Sequence, residues 1–147
     1  MCLLGIIGGN NMLDLSSLEK ACEALDLALK VYAKSVLSDD NPEKVLLRDG
    51  VIQRFEFTYE LSWKMIKRYL DVYGLEKADG LNNRELFRIG REQGLIADPE
   101  KWFHYLQMRN QTSHVYDQTK AVEVFSTARE FLPDSRYLLE RLREKAK

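Results

Sequence analysis

Positions 109 to 116 read Arg-Asn-Gln-Thr-Ser-His-Val-Tyr, and His114 is one of only two histidines in the chain. A permanent cation, an amide, two hydroxyls, an imidazole and a phenol stand side by side there. Together they suit acid–base chemistry beside a bound phosphate. An imidazole gives or takes a proton near neutral pH. A guanidinium offers a planar fork of donors to phosphate oxygens and never loses its charge. Asn110 could orient either partner, and Ser113 and Tyr116 could add hydrogen bonds. Each residue also has a plainer role open to it. Arg109 could complement a helix dipole, His114 could be a hydrogen-bonded turn residue, and Tyr116 could be a half-buried phenol.

Spacing constrains how these groups meet. On one continuous helix Arg109 and His114 would be about 500° apart around the axis, pointing roughly 140° away from each other. They converge on one ligand only if the helix ends inside the segment or if two copies face each other. Gln111, Thr112 and Ser113 are modest helix formers whose side chains compete for backbone hydrogen bonds, so a break is expected there. The helix before it should open at Asp98 and Pro99, with Trp102, Leu106 and Arg109 on one face. The helix after it should be capped by Asp117 or Thr119. Val122, Phe125, Leu132, Leu138, Leu139 and Leu142 should form its apolar side, Pro133 should kink or split it, and its charged end should fray.

Upstream, Ser16 and Glu19 read as a capping box for a helix whose apolar positions are Leu18, Ala21, Leu25, Leu29, Tyr32 and Val36. Asn41 and Pro42 open a second helix that runs to about Tyr73, with Gly74 as its stop. Ile52, Phe55, Tyr59, Trp63, Ile66, Leu70 and Tyr73 make one buried stripe on it. Phe57, Leu61, Met65 and Val72 add a second apolar flank, suited either to a partner or to burial within the chain. Glu60 with Lys64, and Lys67 with Asp71, sit at ion-pair spacing. Asn82 and Glu85 open a short third helix that stops near Gly94 and carries Arg84, Arg88 and Arg91 on one face. That triplet is either a solvated face or a contact for RNA or phosphate. The expected architecture is all-α, an up-and-down bundle of four to five helices.

The arginine, the polar Asn110 directly after it, the histidine five positions on and the tyrosine two further resemble the signature of HEPN domains. The stretch from Arg48 to Lys64, Arg-Asp-Gly-Val-Ile-Gln-Arg-Phe-Glu-Phe-Thr-Tyr-Glu-Leu-Ser-Trp-Lys, is similar to the long second helix of one HEPN subfamily. Its members are prokaryotic proteins encoded beside minimal nucleotidyltransferases and described as nucleotidyltransferase substrate-binding proteins. The resemblance runs from about Leu13 to the C-terminus. It implies a metal-independent endoribonuclease toxin that transfers the scissile phosphate to the neighbouring 2′-hydroxyl. Arg109 and His114 would be catalytic, and Asn110 and Tyr116 supporting. Two protomers would face each other across one cleft, and the nucleotidyltransferase would be the antitoxin. The alternative it implies is a non-catalytic subunit that binds a nucleotide or substrate for that partner. In such pairs the transferase can place AMP on the motif's tyrosine, here Tyr116.

Composition fits this reading. The chain has 147 residues, 45% hydrophobic and 31% charged, with a formal net charge of -1. That suits one domain with a real core. It argues against nucleic-acid binding over the whole surface and leaves a local basic cleft open. Cys2 and Cys22 form no metal-ligand spacing, the histidines are scattered, and neither a metal nor a cofactor is expected. His104, on a different face from Arg109, reads as a surface or packing residue. No run approaches the ~20 apolar residues of a spanning helix, and we expect a cytoplasmic protein. Residues 1–12 read as an extension outside the fold, with Met12 a possible start, and 13–147 as a single domain.

Overall fold

The computed structural model describes residues 13–74 and 78–145. The expected extension at 1–12 lies outside the described residues. Among these residues five α-helices follow in order: α1 (Ser16–Lys34), α2 (Pro42–Tyr73), α3 (Asn83–Glu92), α4 (Pro99–Asn110) and α5 (Gln118–Lys145), with a 3-10 turn at Thr112–His114 before the last. Among the described residues there is no strand, and no helix is long and apolar enough to cross a membrane. The fold is the expected all-α bundle. α1 and α2 form its principal hairpin, α5 packs along both, and the shorter α3–α4 pair closes the side.

Local signals explain most boundaries. The Asn41 side chain accepts from Glu43 N at 2.9 Å, with Pro42 at the first helical position. Asn82 and Glu85 form a reciprocal capping box, and Asp98 accepts from Glu100 N at 3.0 Å. Asp117 rather than Thr119 caps α5, accepting from Thr119 N at 2.9 Å. Gly94 ends the turn after α3 in the left-handed region, at φ 78°, where a side chain would be strained. Gly74 stops α2 in an extended conformation instead.

Aromatic rings fill the centre. Trp102 on α4 is buried against Tyr59 of α2, Phe87 of α3, Tyr105 and Phe131, with centroids 5.5 to 6.1 Å away. Phe55 meets Phe131 edge-on at 5.3 Å. The Tyr105 hydroxyl donates to Asp134, and burial together with that carboxylate pushes the phenol well above its usual range. The Cys22 thiol is buried 3.5 Å from Ser135 Oγ and is pushed up by desolvation.

The structure corrects several expectations. α1 has no capping box: Asp14 accepts from Ser16 N at 2.9 Å, and Glu19 pairs with Arg143 instead. Val36 lies past the end of α1 and is 98% exposed. On α2, Phe55 and Ile66 are fully buried, whereas Trp63 is only half-buried and Tyr73 is exposed. The second flank of α2 is open at Phe57, 59% exposed, and at Val72. Val122, expected on the apolar side of α5, is also exposed. Asp71 accepts from Ala78 N at 2.9 Å rather than pairing with Lys67. Pro133 does not split α5, which runs unbroken from Gln118 to Lys145. It stands on the exposed side, where water can replace the backbone bond that proline forgoes. The charged C-terminal turn is held: Arg143 bonds Glu19, and Arg141 Nε donates to Gly94 O at 2.8 Å.

Candidate functional site

α4 ends where its sequence stops favouring helix. Gln111 N turns back to Met108 O at 3.0 Å, and His114 N to Gln111 O at 2.9 Å, tightening the chain into the 3-10 turn. The apolar stripe of α4, buried at Trp102 and half-buried at Leu106, continues directly into Arg109. The expected break inside the motif is therefore present.

The turn is tied down against α2. Arg109 Nε donates to Glu60 Oε1 at 2.6 Å, and Arg109 Nη2 lies 3.6 Å from Glu56 Oε2. The Thr112 hydroxyl sits between two acceptors, 3.1 Å from Glu56 Oε2 and 2.8 Å from Arg109 O. Its single proton serves one at a time. At the far end, buried Arg48 donates from Nη1 to Gln118 Oε1 at 2.5 Å. Residues 109 to 118 thus lie along α2 in the opposite direction, fastened at Glu60, Glu56 and Arg48.

Between these fastenings the chemistry-bearing side chains are left outside. Asn110, Ser113 and His114 are exposed, and Tyr116 is 85% exposed. The His114 and Tyr116 rings lie edge to face, with centroids 6.3 Å apart. No hydrogen bond or ion pair joins Arg109 to His114 within this chain. The structure brings the motif onto one turn and does not close it around a ligand by itself.

The arginine triplet sits elsewhere. Arg84, Arg88 and Arg91 line a cleft of about 480 Å³ with Asp98, Glu100 and Phe103, at the N-terminal end of α4. Arg84 Nη1 is 3.8 Å from Glu100, and its guanidinium lies 4.3 Å over the Phe103 ring. Glu100 and Arg109 are separated by roughly 14 Å of helical rise and face opposite sides of α4. The triplet does not join the motif within one chain. His104 Nε2 lies 3.3 Å from Thr127 Oγ1, away from the motif, as a packing residue would.

Helical spacing pairs Glu60 with Lys64 and does not mark Glu56 or Glu60 as site residues. One signal was available. Two carboxylates four apart, Glu56 and Glu60, interrupt the aromatic stretch from Phe55 to Trp63, and partly buried carboxylates call for a cationic partner. Among the described residues no group of three or more His, Cys, Asp or Glu side chains is placed to hold a metal ion.

Comparison with known proteins places this site in context. The profile of a family described as "nucleotidyltransferase substrate binding protein like" matches residues 13–144. A protein of Haemophilus influenzae named probable ribonuclease HepT is 45% identical over 98 residues, covering 65% of this chain and 67% of the relative. A solved structure from the same organism, described as the fold of a substrate binding domain of a nucleotidyltransferase, superposes with a TM-score of 0.80. It is 38% identical and covers 88% of this chain and 99% of its own. A crystal structure of a Thermus thermophilus protein gives a TM-score of 0.66 at 29% identity, covering 84% of this chain and 98% of its own.

Proposed function

The chain belongs to the nucleotidyltransferase substrate-binding-like family, and we propose that within it this protein is a metal-independent endoribonuclease, the toxin of a pair whose antitoxin is a minimal nucleotidyltransferase. The carrying observation is the segment 109–116, in which Glu60 and Glu56 hold Arg109 while His114 and Tyr116 face solvent. The relative named as a probable ribonuclease supports the same reading. His114 exchanges the proton of the 2′-hydroxyl or of the leaving oxygen, and Arg109 stabilises charge on the phosphorane. Asn110 and Ser113, both exposed on the turn, add hydrogen bonds to the phosphate or the imidazole. Cleavage of RNA by the purified chain in excess EDTA, leaving a cyclic phosphate end, is the expected result. Cleavage that stops with chelator would overturn the scheme.

A second reading is a binding subunit that presents a nucleotide to the transferase. It is favoured by Arg109 already facing two carboxylates, and by the description of the solved relative. A chain that binds RNA or nucleotide and leaves RNA intact is its expected behaviour.

The active form is a homodimer in which two turns share one cleft. Leu46 and Phe57 are exposed on one ridge of α2, and that ridge lies within about 60° of Glu60 around the helix. An interface over the ridge would bring the second copy's turn beside the first. Light scattering should give twice the 17.2 kDa of the chain, whereas a monomer at micromolar concentration would remove the shared cleft.

Tyr116 is the regulatory position. Its exposed hydroxyl attacks the α-phosphorus of ATP on the transferase, forming an O–P bond and releasing pyrophosphate, while its proton passes to a base. The attached AMP places an anion where the RNA phosphate must sit and silences cleavage by competition. Arg84, Arg88 and Arg91, on the far side of α4, would meet more distant parts of the RNA rather than this AMP. Intact-mass spectrometry should show one or more AMP additions with ATP, Mg²⁺ and the cognate transferase, and none on Tyr116→Phe. An unshifted parent mass beside an active transferase would discard this regulation.

A further inference from the structure

The Glu60 carboxylate is held at both oxygens. Oε1 accepts from Arg109 Nε at 2.6 Å, and Oε2 accepts from Trp63 Nε1 at 3.3 Å. The bonds form a relay across two helices, from an indole to a carboxylate to the guanidinium that ends α4. Glu60 and Glu56 are both about two-thirds buried at the side chain, so the relay is partly shielded from water. Free in solution, a guanidinium on a flexible stem samples many orientations. Here its Nε edge is fixed by Glu60 and its Nη2 corner is drawn toward Glu56 Oε2, while Nη1 makes no hydrogen bond among the described residues. An arginine gripped this way presents one end of its fork outward. That is the geometry for meeting a phosphate oxygen end-on.

Charge makes the arrangement informative. One cation against two carboxylates leaves the immediate surroundings of Arg109 net negative. A site selected only to attract polyanions would have no use for the second carboxylate. Holding the guanidinium still, in one orientation, does need it. The relay also gives the half-buried Trp63 a partner for its N–H, which the apolar pattern of α2 does not foresee.

We propose that Glu60, anchored by Trp63 and assisted by Glu56, is the positioning residue that orients Arg109 for phosphate. For its catalytic consequence this rests on the nuclease reading above. Glu60 touches no substrate atom and acts through Arg109 alone.

Two measurements test it. The first needs no activity. The Arg109 Nε–Hε resonance of the full chain, assigned by its loss in Arg109→Ala, should be shifted and slow to exchange in the parent. It should move toward the free-arginine position in Glu60→Ala, move less in Glu60→Gln, which keeps an acceptor oxygen, and respond to Trp63→Phe, which removes the donor together with part of the ring. An unmoved resonance in Glu60→Ala overturns the relay. The second is cleavage of a fluorescent oligoribonucleotide. Glu60→Ala should lower kcat about tenfold to a hundredfold, the scale of a misplaced catalytic group, with little change in KM and a drop in thermal midpoint no larger than that of Arg109→Ala, and Glu60→Gln should recover part of the loss. If Glu60→Ala folds poorly, Trp63→Phe carries the same comparison with a smaller loss. Full activity in Glu60→Ala overturns the positioning role. A parent chain inert toward RNA overturns the nuclease reading instead, and the resonance then decides the relay by itself.

Discussion

His114→Ala and Arg109→Ala should each abolish RNA cleavage while the bundle stays folded. A positioned acid–base group typically supplies ~10²–10⁴-fold in rate, and His114 is the imidazole that shares the turn with Arg109. It is exposed, and among the described residues the one ring it meets is that of Tyr116. Removing it takes no packing with it, so the circular dichroism and melting curve of His114→Ala should match the parent. Arg109→Ala differs in one respect. It leaves Glu60 and Glu56, both partly buried, without their cation. A modest loss of stability, on the order of 1 kcal/mol for a partly exposed pair, should accompany its loss of activity. Lysine at 109 should not restore the rate, because it lacks the second edge that Glu60 holds while the first meets phosphate. Measurable cleavage in His114→Ala would remove the imidazole from the mechanism.

Trp102→Ala should cost on the order of 3–5 kcal/mol, a large part of a small domain's stability. The indole is 2% exposed and touches rings from α2, α3, α4 and α5. No neighbour can fill the space without leaving its own place. Trp63→Ala should cost far less, roughly 1–2 kcal/mol, since that ring is half-buried and its polar atom faces Glu60. Urea denaturation of the two variants checks the ordering. A Trp63→Ala loss equal to that of Trp102→Ala would contradict this assignment of the core.

The helices were legible because their signals are local. Asn41–Pro42, Asn82–Glu85 and Asp98–Pro99 each carry their cap within a few residues, and each formed as expected. The stripe on α2 was legible at Ile52, Phe55, Tyr59, Ile66 and Leu70. It failed at Trp63, because a periodic pattern cannot tell a buried ring from one whose polar atom has a partner elsewhere, and at Tyr73, which is the last residue of the helix. The motif and its break at Asn110 could be read from residue types. What held the motif could not. Glu60 lies 49 positions from Arg109, and the nearer Lys64 offered a sufficient explanation at helical spacing. Ser16 and Glu19 failed the same way: the distant Arg143 claimed Glu19.

The three fastenings of residues 109–118 to α2 are nested in sequence. Glu60 to Arg109 spans 49 positions, Glu56 to Thr112 spans 56, and Arg48 to Gln118 spans 70. In polymer terms they are concentric loops around the α3–α4 hairpin. Closing a loop costs an entropy that grows only with the logarithm of its length. Once the innermost is shut, the next two lengthen the loop by 7 and then 14 positions and cost little more. By loop-closure cost alone, assembly is cheapest from the inside out: packing of the hairpin brings Glu60 and Arg109 together, and the outer links then close toward Arg48. Cutting the inner link leaves each outer one to bear a long closure that it would otherwise have inherited.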